Sequence, residues 1–436
     1  MTDATQQHFK LFSDPVHGFI SVPKEVILDL VQTPEVQRLR RIRQLGVGHL
    51  VFPGAEHTRF NHALGAMALM HDALTSLATK GTPISPEEHT AALAAALLHD
   101  IGHGPYSHTL EHHLIRDFHH EAMSRVLIQH MNDRRGGGLE RAVRIFDDTY
   151  ERPFFHQLVA SQLDMDRLDY LRRDSFYTGV AEGKVGVQRI IKTLRVHPPA
   201  GGPESELTVE EKGIYAVENF LLARRLMYWQ VYLHKTVLAG DHLLRAILDR
   251  VRDHLQQEAS PDDIATAGSS DLRYFLERDV SADELHTPTV RRRYSRLDDT
   301  DVLFSLKQWA RASDAVLADL CRRFINRDFF RVTFLDDPPS DAEVDRWRET
   351  VAQWLVNTDR SSSSYAWRDA DAYLSVDASR HTAYKTNRPR IGILGRDGTV
   401  RSFSDTTDTP IAGLTGFVVK PYVCAPKPVN LDLQGP

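Results

Sequence analysis

Cysteine is nearly absent from this chain: only Cys321 and Cys424 occur in 436 residues, far apart and in no motif. That argues against a disulfide framework or a cysteine-based zinc site, and it fits a reducing compartment. Long apolar runs are missing as well. No stretch reaches the roughly 20 residues that a membrane-spanning helix needs, and the segment Met1 to Lys10 is polar, without the apolar core of a secretory signal. A cytoplasmic location with no membrane partner is expected. Positive charge is not in excess either. Lys and Arg number 53 against 59 Asp and Glu, a net charge of −6 with His neutral. Nucleic acid is therefore not a predicted partner, although a local basic pocket for a small anion is compatible with this balance.

Histidine is plentiful by contrast. There are 22, and many fall between His57 and His130. The densest stretch is Leu97-Leu98-His99-Asp100-Ile101-Gly102-His103-Gly104-Pro105-Tyr106-Ser107-His108. An apolar, Ala-rich segment from Ala91 to Leu98 runs directly into adjacent His and Asp. A helix end requires only the Gly, so the extra imidazoles and the carboxylate point to chemistry.

The remaining pattern is mainly helical. Phe9 to Val22 reads as strand, turn, strand, with Asp14-Pro15 and Gly18 as turn signals. Helical spacing is expected over Pro23–Val31 and again from Thr33-Pro34 to Leu45, where Arg38, Arg40, Arg41 and Arg43 form a basic face. A buried helix starts near Arg59. Ser85-Pro86-Glu87-Glu88 is a capping-box start for the helix leading to His99. Further helices are expected from His119 to His130, from Gln157 to Tyr177, and over a long segment, Ile214 to Arg250, with later ones near Ala282, Val302–Trp309 and Asp314–Phe324. Short strands are expected at Ile190–Val196, Leu207–Val209, Arg390–Leu394, Val400–Phe403 and Gly416–Tyr422. The fold class is thus mainly α with a small α+β C-terminal part. The expected divisions are a core over 1–255, a helical extension over 256–327, an α+β lobe over 328–424 and a tail over 425–436.

Four residues are candidate metal ligands: His62, His99, Asp100 and Asp166. Two imidazoles and two carboxylates suit zinc, manganese or iron better than calcium. Around them lie groups suited to an anionic substrate. Arg59 is three positions from His62, and Asp166, Asp169, Tyr170 and Arg173 recur on one helical face. His108 and Glu111 are also three apart, so the carboxylate can orient the imidazole as a proton donor. Arg224 and Lys235 supply further cations. Spacing alone does not show that Asp166 meets His62.

Taken in order, these motifs resemble a known family. The segments are Lys10-Leu11-Phe12-Ser13-Asp14-Pro15-Val16-His17-Gly18, Gln37 to Gly46, Val51-Phe52-Pro53-Gly54-Ala55, Arg59-Phe60-Asn61-His62, His99 to His108, Asp164 to Tyr170 and Tyr228 to Lys235. They resemble the HD-domain deoxynucleoside triphosphate triphosphohydrolases, namely the catalytic domain of the vertebrate sterile-alpha-motif/HD-domain enzyme and its bacterial relatives. The resemblance is clear over about residues 9–250 and loose beyond. It implies an HD-domain helical core, with His62, His99, Asp100 and Asp166 binding a divalent metal (iron, manganese, zinc or magnesium).

The same resemblance implies His108 as proton donor to the 5′ oxygen, backed by Glu111, with His120 a second imidazole near the phosphates. Arg59, His103, Arg167, Tyr170, Asp174, Arg224, Tyr232 and His234 would line the triphosphate and sugar. Gln44 and Leu45 would face the sugar, and burying an unpaired 2′-hydroxyl against Leu45 costs on the order of 1–3 kcal/mol. The implied reaction is attack by metal-activated water on the α-phosphorus of a deoxynucleotide, releasing deoxynucleoside and triphosphate with broad base tolerance. Assembly as a homodimer or homotetramer and a nucleotide activator held by Lys10, Gln37 and Arg40 are also implied, with the basic face Arg38–Arg43 as interface or activator pocket. Three positions depart from the family pattern: Gln32 stands where vertebrate members carry Asp, Asn61 where many relatives carry Glu, and Arg167 where vertebrate members carry Lys. The alternatives are an HD phosphohydrolase acting on a monophosphate or signalling nucleotide, and a nucleotide- or nucleic-acid-binding regulator.

Overall fold

The structure is a computed structural model, which describes residues 8–199, 202–256, 261–382, 390–405 and 416–433. Helices dominate it. Among the described residues, none is long and apolar enough to cross a membrane. The chain opens with an antiparallel hairpin, β1 (Phe9–Asp14) and β2 (Gly18–Pro23), closed by the Asp-Pro turn. Gly18 has φ of 77°, a conformation that favours glycine.

Three helices position the centre of the molecule. The first, Arg59–Thr79, starts where the Asn61 side chain accepts the Thr58 backbone N–H at 3.1 Å. Asn61 thus does the work of a capping-box glutamate. The second, Pro86–Leu98, has the capping box read from sequence: Ser85 Oγ accepts from Glu88 N at 3.1 Å, and Glu88 Oε2 accepts from Ser85 N at 2.8 Å. Every residue from Ala91 to Leu98 is buried, as expected of a helix apolar on all sides. It therefore delivers His99-Asp100 into the interior. The third, Met165–Thr178, begins at Asp164, whose side chain accepts from the Arg167 and Ser161 backbone N–H groups at 2.8 and 2.7 Å. The Arg59–Thr79 helix packs against both of the others.

Several expected elements differ. The helix expected over Thr33–Leu45 is only Pro34–Arg38 followed by a single 3₁₀ turn, Leu39–Arg41. Ile42 is extended, because its carbonyl accepts from Arg59 N at 2.9 Å while Gln44 N donates to His57 O at 3.1 Å. The basic face also breaks up. Arg38 is buried, and its guanidinium donates to the Leu297, Ile101 and His103 carbonyls at 2.7–3.0 Å. Arg41 pairs with Asp298 at 2.5 Å and Arg43 with Glu56 at 2.7 Å. Arg38 is therefore an internal clamp, not part of an open basic surface.

The Gln157–Tyr177 helix is two helices, Phe154–Val159 and Met165–Thr178, split by the Asp164 cap. The long segment expected over Ile214–Arg250 is Ile214–Met227, a π turn Tyr228–Tyr232, and Lys235–Leu255. The Ile190–Val196 stretch is the end of a helix, Val187–Thr193, leading into β3 (Leu194–His197). Between the expected strands Ile190–Val196 and Leu207–Val209, residues 200 and 201 lie outside the described residues.

The strands form two further sheets. β3 pairs antiparallel with β4 (Glu206–Glu210), and the distant β7 (Gly392–Leu394) joins β4 in parallel, followed by β8 (Val400–Ser402). The other sheet has the order β5 (Arg331–Phe334), β9 (Val418–Ala425), β6 (Ser375–His381), all antiparallel. One hydrophobic cluster runs from Ile20 in the hairpin to Leu431.

Two stability predictions arise here. Arg38→Ala leaves three buried carbonyls without their donors, and each orphan costs about 1–3 kcal/mol. A loss of about 3 kcal/mol or more is expected in denaturant unfolding; an unchanged midpoint contradicts it. The second concerns Asp314, which accepts from Arg250 at 2.6 Å and pairs with His254 at 2.8 Å. Burial pushes its carboxyl up, but these partners outweigh burial and hold it well below the usual carboxylate range. A depressed carboxylate contributes stability above its unfolded value and loses it as pH falls through the folded value. The melting-temperature gap between wild type and Asp314→Asn is expected to be widest near neutrality and to narrow steadily below about pH 4. A gap independent of pH contradicts this.

Candidate functional site

His62, His99, Asp100 and Asp166 come together although a hundred positions separate the first from the last. His62 Nε2 lies 3.3 Å from His99 Nε2 and 3.1 Å from Asp166 Oδ1. His99 Nε2 is 3.5 Å from both Asp166 Oδ1 and Asp100 Oδ1. His62 Nε2 and Asp100 Oδ2 are 3.7 Å apart.

The outer ring nitrogens fix the tautomers. His62 Nδ1 donates to Asp169 Oδ2 at 2.8 Å, and His99 Nδ1 donates to the Ala96 carbonyl at 2.8 Å. In neutral rings both Nε2 atoms are then bare lone pairs facing one another. Two lone pairs facing each other, each with both carboxylates close by, need a positive charge between them. Burial opposes a charged His62, but hydrogen bonds to Asp166 and Asp169 outweigh it and push the group up to about 10. A divalent cation answers the same demand, so the donor set fits a metal.

Two residues behind this cluster escaped the sequence reading. Asp169, read from sequence on one helical face with Asp166 among groups suited to an anionic substrate, is fully buried and holds His62. Its other oxygen meets His17 Nε2 at 2.6 Å, and Arg173 joins it to Asp14 in the hairpin. Gly65 is the only residue type that fits opposite, since a Cβ there would stand 1.9 Å from Asp169 Oδ1. The signal was the Asp-Pro-Val-His-Gly motif, which reads as a turn until the fold brings it to the helix.

A cavity of about 480 Å³ opens beside Asp100 and Asp166. His103, His108 and His120 line it, and their ring nitrogens lie within 4.8 Å of one another. Glu111 organises them: Oε2 meets His108 Nδ1 at 2.7 Å and Oε1 meets His120 Nδ1 at 2.6 Å. Burial raises the Glu111 carboxyl, yet the two imidazoles outweigh it and hold it far below the usual range. His103 stacks on His120 with centroids 3.7 Å apart. Its burial, with Arg59 and His120 nearby, keeps it well below the ordinary imidazole value and therefore neutral.

The rest of the wall holds Gln44, Leu45, Arg59, Arg167, Tyr170, Asp174, Arg224 and Tyr232. Arg59 is anchored by Asp100 at 2.5 Å and by Ser107 at 2.8 Å, and Arg167 by Asp164. Asp174 accepts from Tyr232 Oη at 2.7 Å and meets His57 Nε2 at 2.8 Å. Gln44 Oε1 is buried with no hydrogen-bond partner among the described residues. The π turn, a rare form often found at functional sites, is what turns Tyr228 and Tyr232 inward together.

Not every named residue reaches the cavity. His234 lies outside its lining and caps the Lys235–Leu255 helix, accepting from Thr236 N at 3.2 Å. Lys235 is directed at the Phe334 ring, 5.3 Å away. Gln37 and Arg40 are joined at 2.9 Å, with the Arg40 guanidinium 3.6 Å over the Phe60 ring. Among the described residues no hydrogen bond or ion pair joins either to Lys10, which is exposed on β1.

A buried His/Asp cluster at the meeting of three helices, opening on a cation-lined cavity, defines a metal-type hydrolase centre. Comparison with known proteins makes this specific. A family profile described as the HD domain matches residues 59–171, and one described as an HD associated region matches 185–296. YwfO of Bacillus subtilis, described as uncharacterized, is 34% identical over 412 residues, covering 91% of this chain and 87% of that protein. The crystal structure of a phosphohydrolase from Bacteroides thetaiotaomicron superposes with a TM-score of 0.87 at 41% identity, covering 96% of this chain and 99% of that one. The deoxynucleoside triphosphate triphosphohydrolase SAMHD1 of Danio rerio is 25% identical over 409 residues, 83% of this chain and 61% of that protein. The chain belongs to the HD-domain phosphohydrolase family. HD domains bind divalent metals, which the His/Asp cluster fits, and the family makes the protein a phosphohydrolase.

Proposed function

We propose that this protein hydrolyses deoxynucleoside triphosphates to deoxynucleoside and inorganic triphosphate. The observation that carries the reading is the joining of the four-donor cluster to one cavity that holds both cationic and sugar-sized polar walls. A divalent ion held by His62, His99, Asp100 and Asp166 supplies Lewis-acid charge and an acidified water. Arg59, Arg167 and Arg224 bind the triphosphate, and neutral His103 adds a hydrogen-bonding edge. Tyr170, and Tyr232 fixed by Asp174, wall the sugar, while Gln44 Oε1 offers an acceptor to its hydroxyl. Leu45 leaves a 2′-hydroxyl without a partner.

Water adds to the α-phosphorus as the bond from phosphorus to O5′ breaks. His108, oriented by Glu111, delivers the proton that O5′ needs to leave as a hydroxyl. His120 shares the same carboxylate and keeps it fixed between two rings. His234, placed outside the cavity, has no part in this scheme. A metal-loaded enzyme oligomer is the active form in this reading, with Gln37, Arg40 and Lys10 open to a nucleotide activator.

The test is product analysis with the four dNTPs and four NTPs, each present in turn as possible activator. Deoxynucleoside with intact triphosphate supports the reading. Monophosphate with pyrophosphate, or single orthophosphate, contradicts it by placing cleavage at another bond, and no turnover of any dNTP moves the substrate to another nucleotide.

A further inference from the structure

Part of the cavity's lining is not used by the scheme above. Leu233, Val237 and Leu238 give it apolar walls, and Asp241 and Arg245 close it. Both charged residues stand one turn apart on the Lys235–Leu255 helix and share Thr109 as an anchor. Asp241 Oδ1 accepts from Thr109 Oγ1 at 2.7 Å, and Arg245 Nε donates to the Thr109 carbonyl at 3.1 Å. Among the described residues, Asp241 Oδ2 and the two terminal nitrogens of Arg245 have no hydrogen-bond partner. One acceptor and a fork of donors therefore remain unused in a slot with apolar sides.

The Asp241 carboxylate repels phosphate, so the triphosphate belongs among Arg59, Arg167 and Arg224 instead. An apolar slot with a few fixed polar groups is what a flat heterocycle requires. Resting on the triphosphohydrolase reading, we infer that Asp241 and Arg245 read the base and favour guanine. Guanine presents the donors N1–H and N2–H to a carboxylate. Its acceptors O6 and N7 suit a guanidinium. Adenine turns its N1 lone pair toward the carboxylate, and cytosine does the same with N3. Burial pushes the Asp241 carboxyl up to about 6, which leaves it mainly ionised at neutral pH. The broad base tolerance implied by the family resemblance is replaced here by a preference.

The experiment compares kcat/KM for dGTP and dATP in wild type, Asp241→Asn and Arg245→Gln. Each bidentate base contact discriminates by about 1–3 kcal/mol, so wild type should favour dGTP by roughly fivefold to a hundredfold. Both variants should bring the ratio close to one. Equal efficiencies in wild type, or a ratio unchanged in both variants, overturn the inference while leaving the hydrolytic reading intact. If no dNTP is turned over, the hydrolytic reading fails separately. Equilibrium binding of dGTP and dATP to the same three proteins then decides: tighter dGTP, lost in the variants, upholds base reading, and equal or absent binding overturns it.

Discussion

His99→Ala combined with Asp100→Ala is expected to abolish metal retention and hydrolysis together. The wild-type cluster places each of the two ring lone pairs within 3.7 Å of both carboxylates and 3.3 Å from the other ring. Removing one nitrogen and one carboxylate leaves His62 and Asp166, too few donors to hold a divalent ion against water. The charge stabilisation lost is worth several kcal/mol, a rate reduction on the order of a thousandfold or more. Asp100 also anchors Arg59 at 2.5 Å, so the phosphate wall loosens in the same variant. Metal analysis of the purified proteins, set beside turnover, checks this. A variant that keeps stoichiometric metal, or one that loses metal yet still turns over, contradicts the assignment.

His108→Ala is expected to separate the two properties. His108 is exposed toward the cavity and touches none of the four donors within ion-pair distance. Its loss removes proton delivery to O5′, a contribution of about 10²–10⁴-fold for general acid catalysis, while metal content stays at the wild-type level. Glu111→Gln should fall in between, because one amide cannot accept from both His108 and His120 with its NH₂ end. Metal loss in His108→Ala, or full activity, contradicts the proposed division of labour between the clusters.

How much of this was legible in the sequence follows from the range of the forces involved. The helix Pro86–Leu98 was readable because its capping box and its unbroken apolar run are local signals. The same locality put His99 and Asp100 at its end. His62 and Asp166 could be named by resemblance, but their meeting depends on two helix packings that no window of sequence contains. The basic run Arg38–Arg43 was misleading for a physical reason. Charge on a short helix reads as surface, whereas Arg38 is stabilised inside by three carbonyls drawn from Ile101, His103 and Leu297. His17 was hidden in the same way, as a turn residue whose partner Asp169 lies 152 positions away. Asp241 and Arg245 are an i, i+4 pair on the Lys235–Leu255 helix, a spacing that by itself gives no sign of the cavity they line. The π turn at Tyr228–Tyr232 has no pattern in sequence that separates it from continuous helix.

The central claim is that these residues direct water to the α-phosphorus. The most direct measurement is hydrolysis of a dNTP in ¹⁸O-labelled water, with mass analysis of both products. One labelled oxygen is expected in the inorganic triphosphate and none in the deoxynucleoside. Label in the nucleoside 5′-hydroxyl, or in released orthophosphate or pyrophosphate, would place the bond cleavage elsewhere and contradict it.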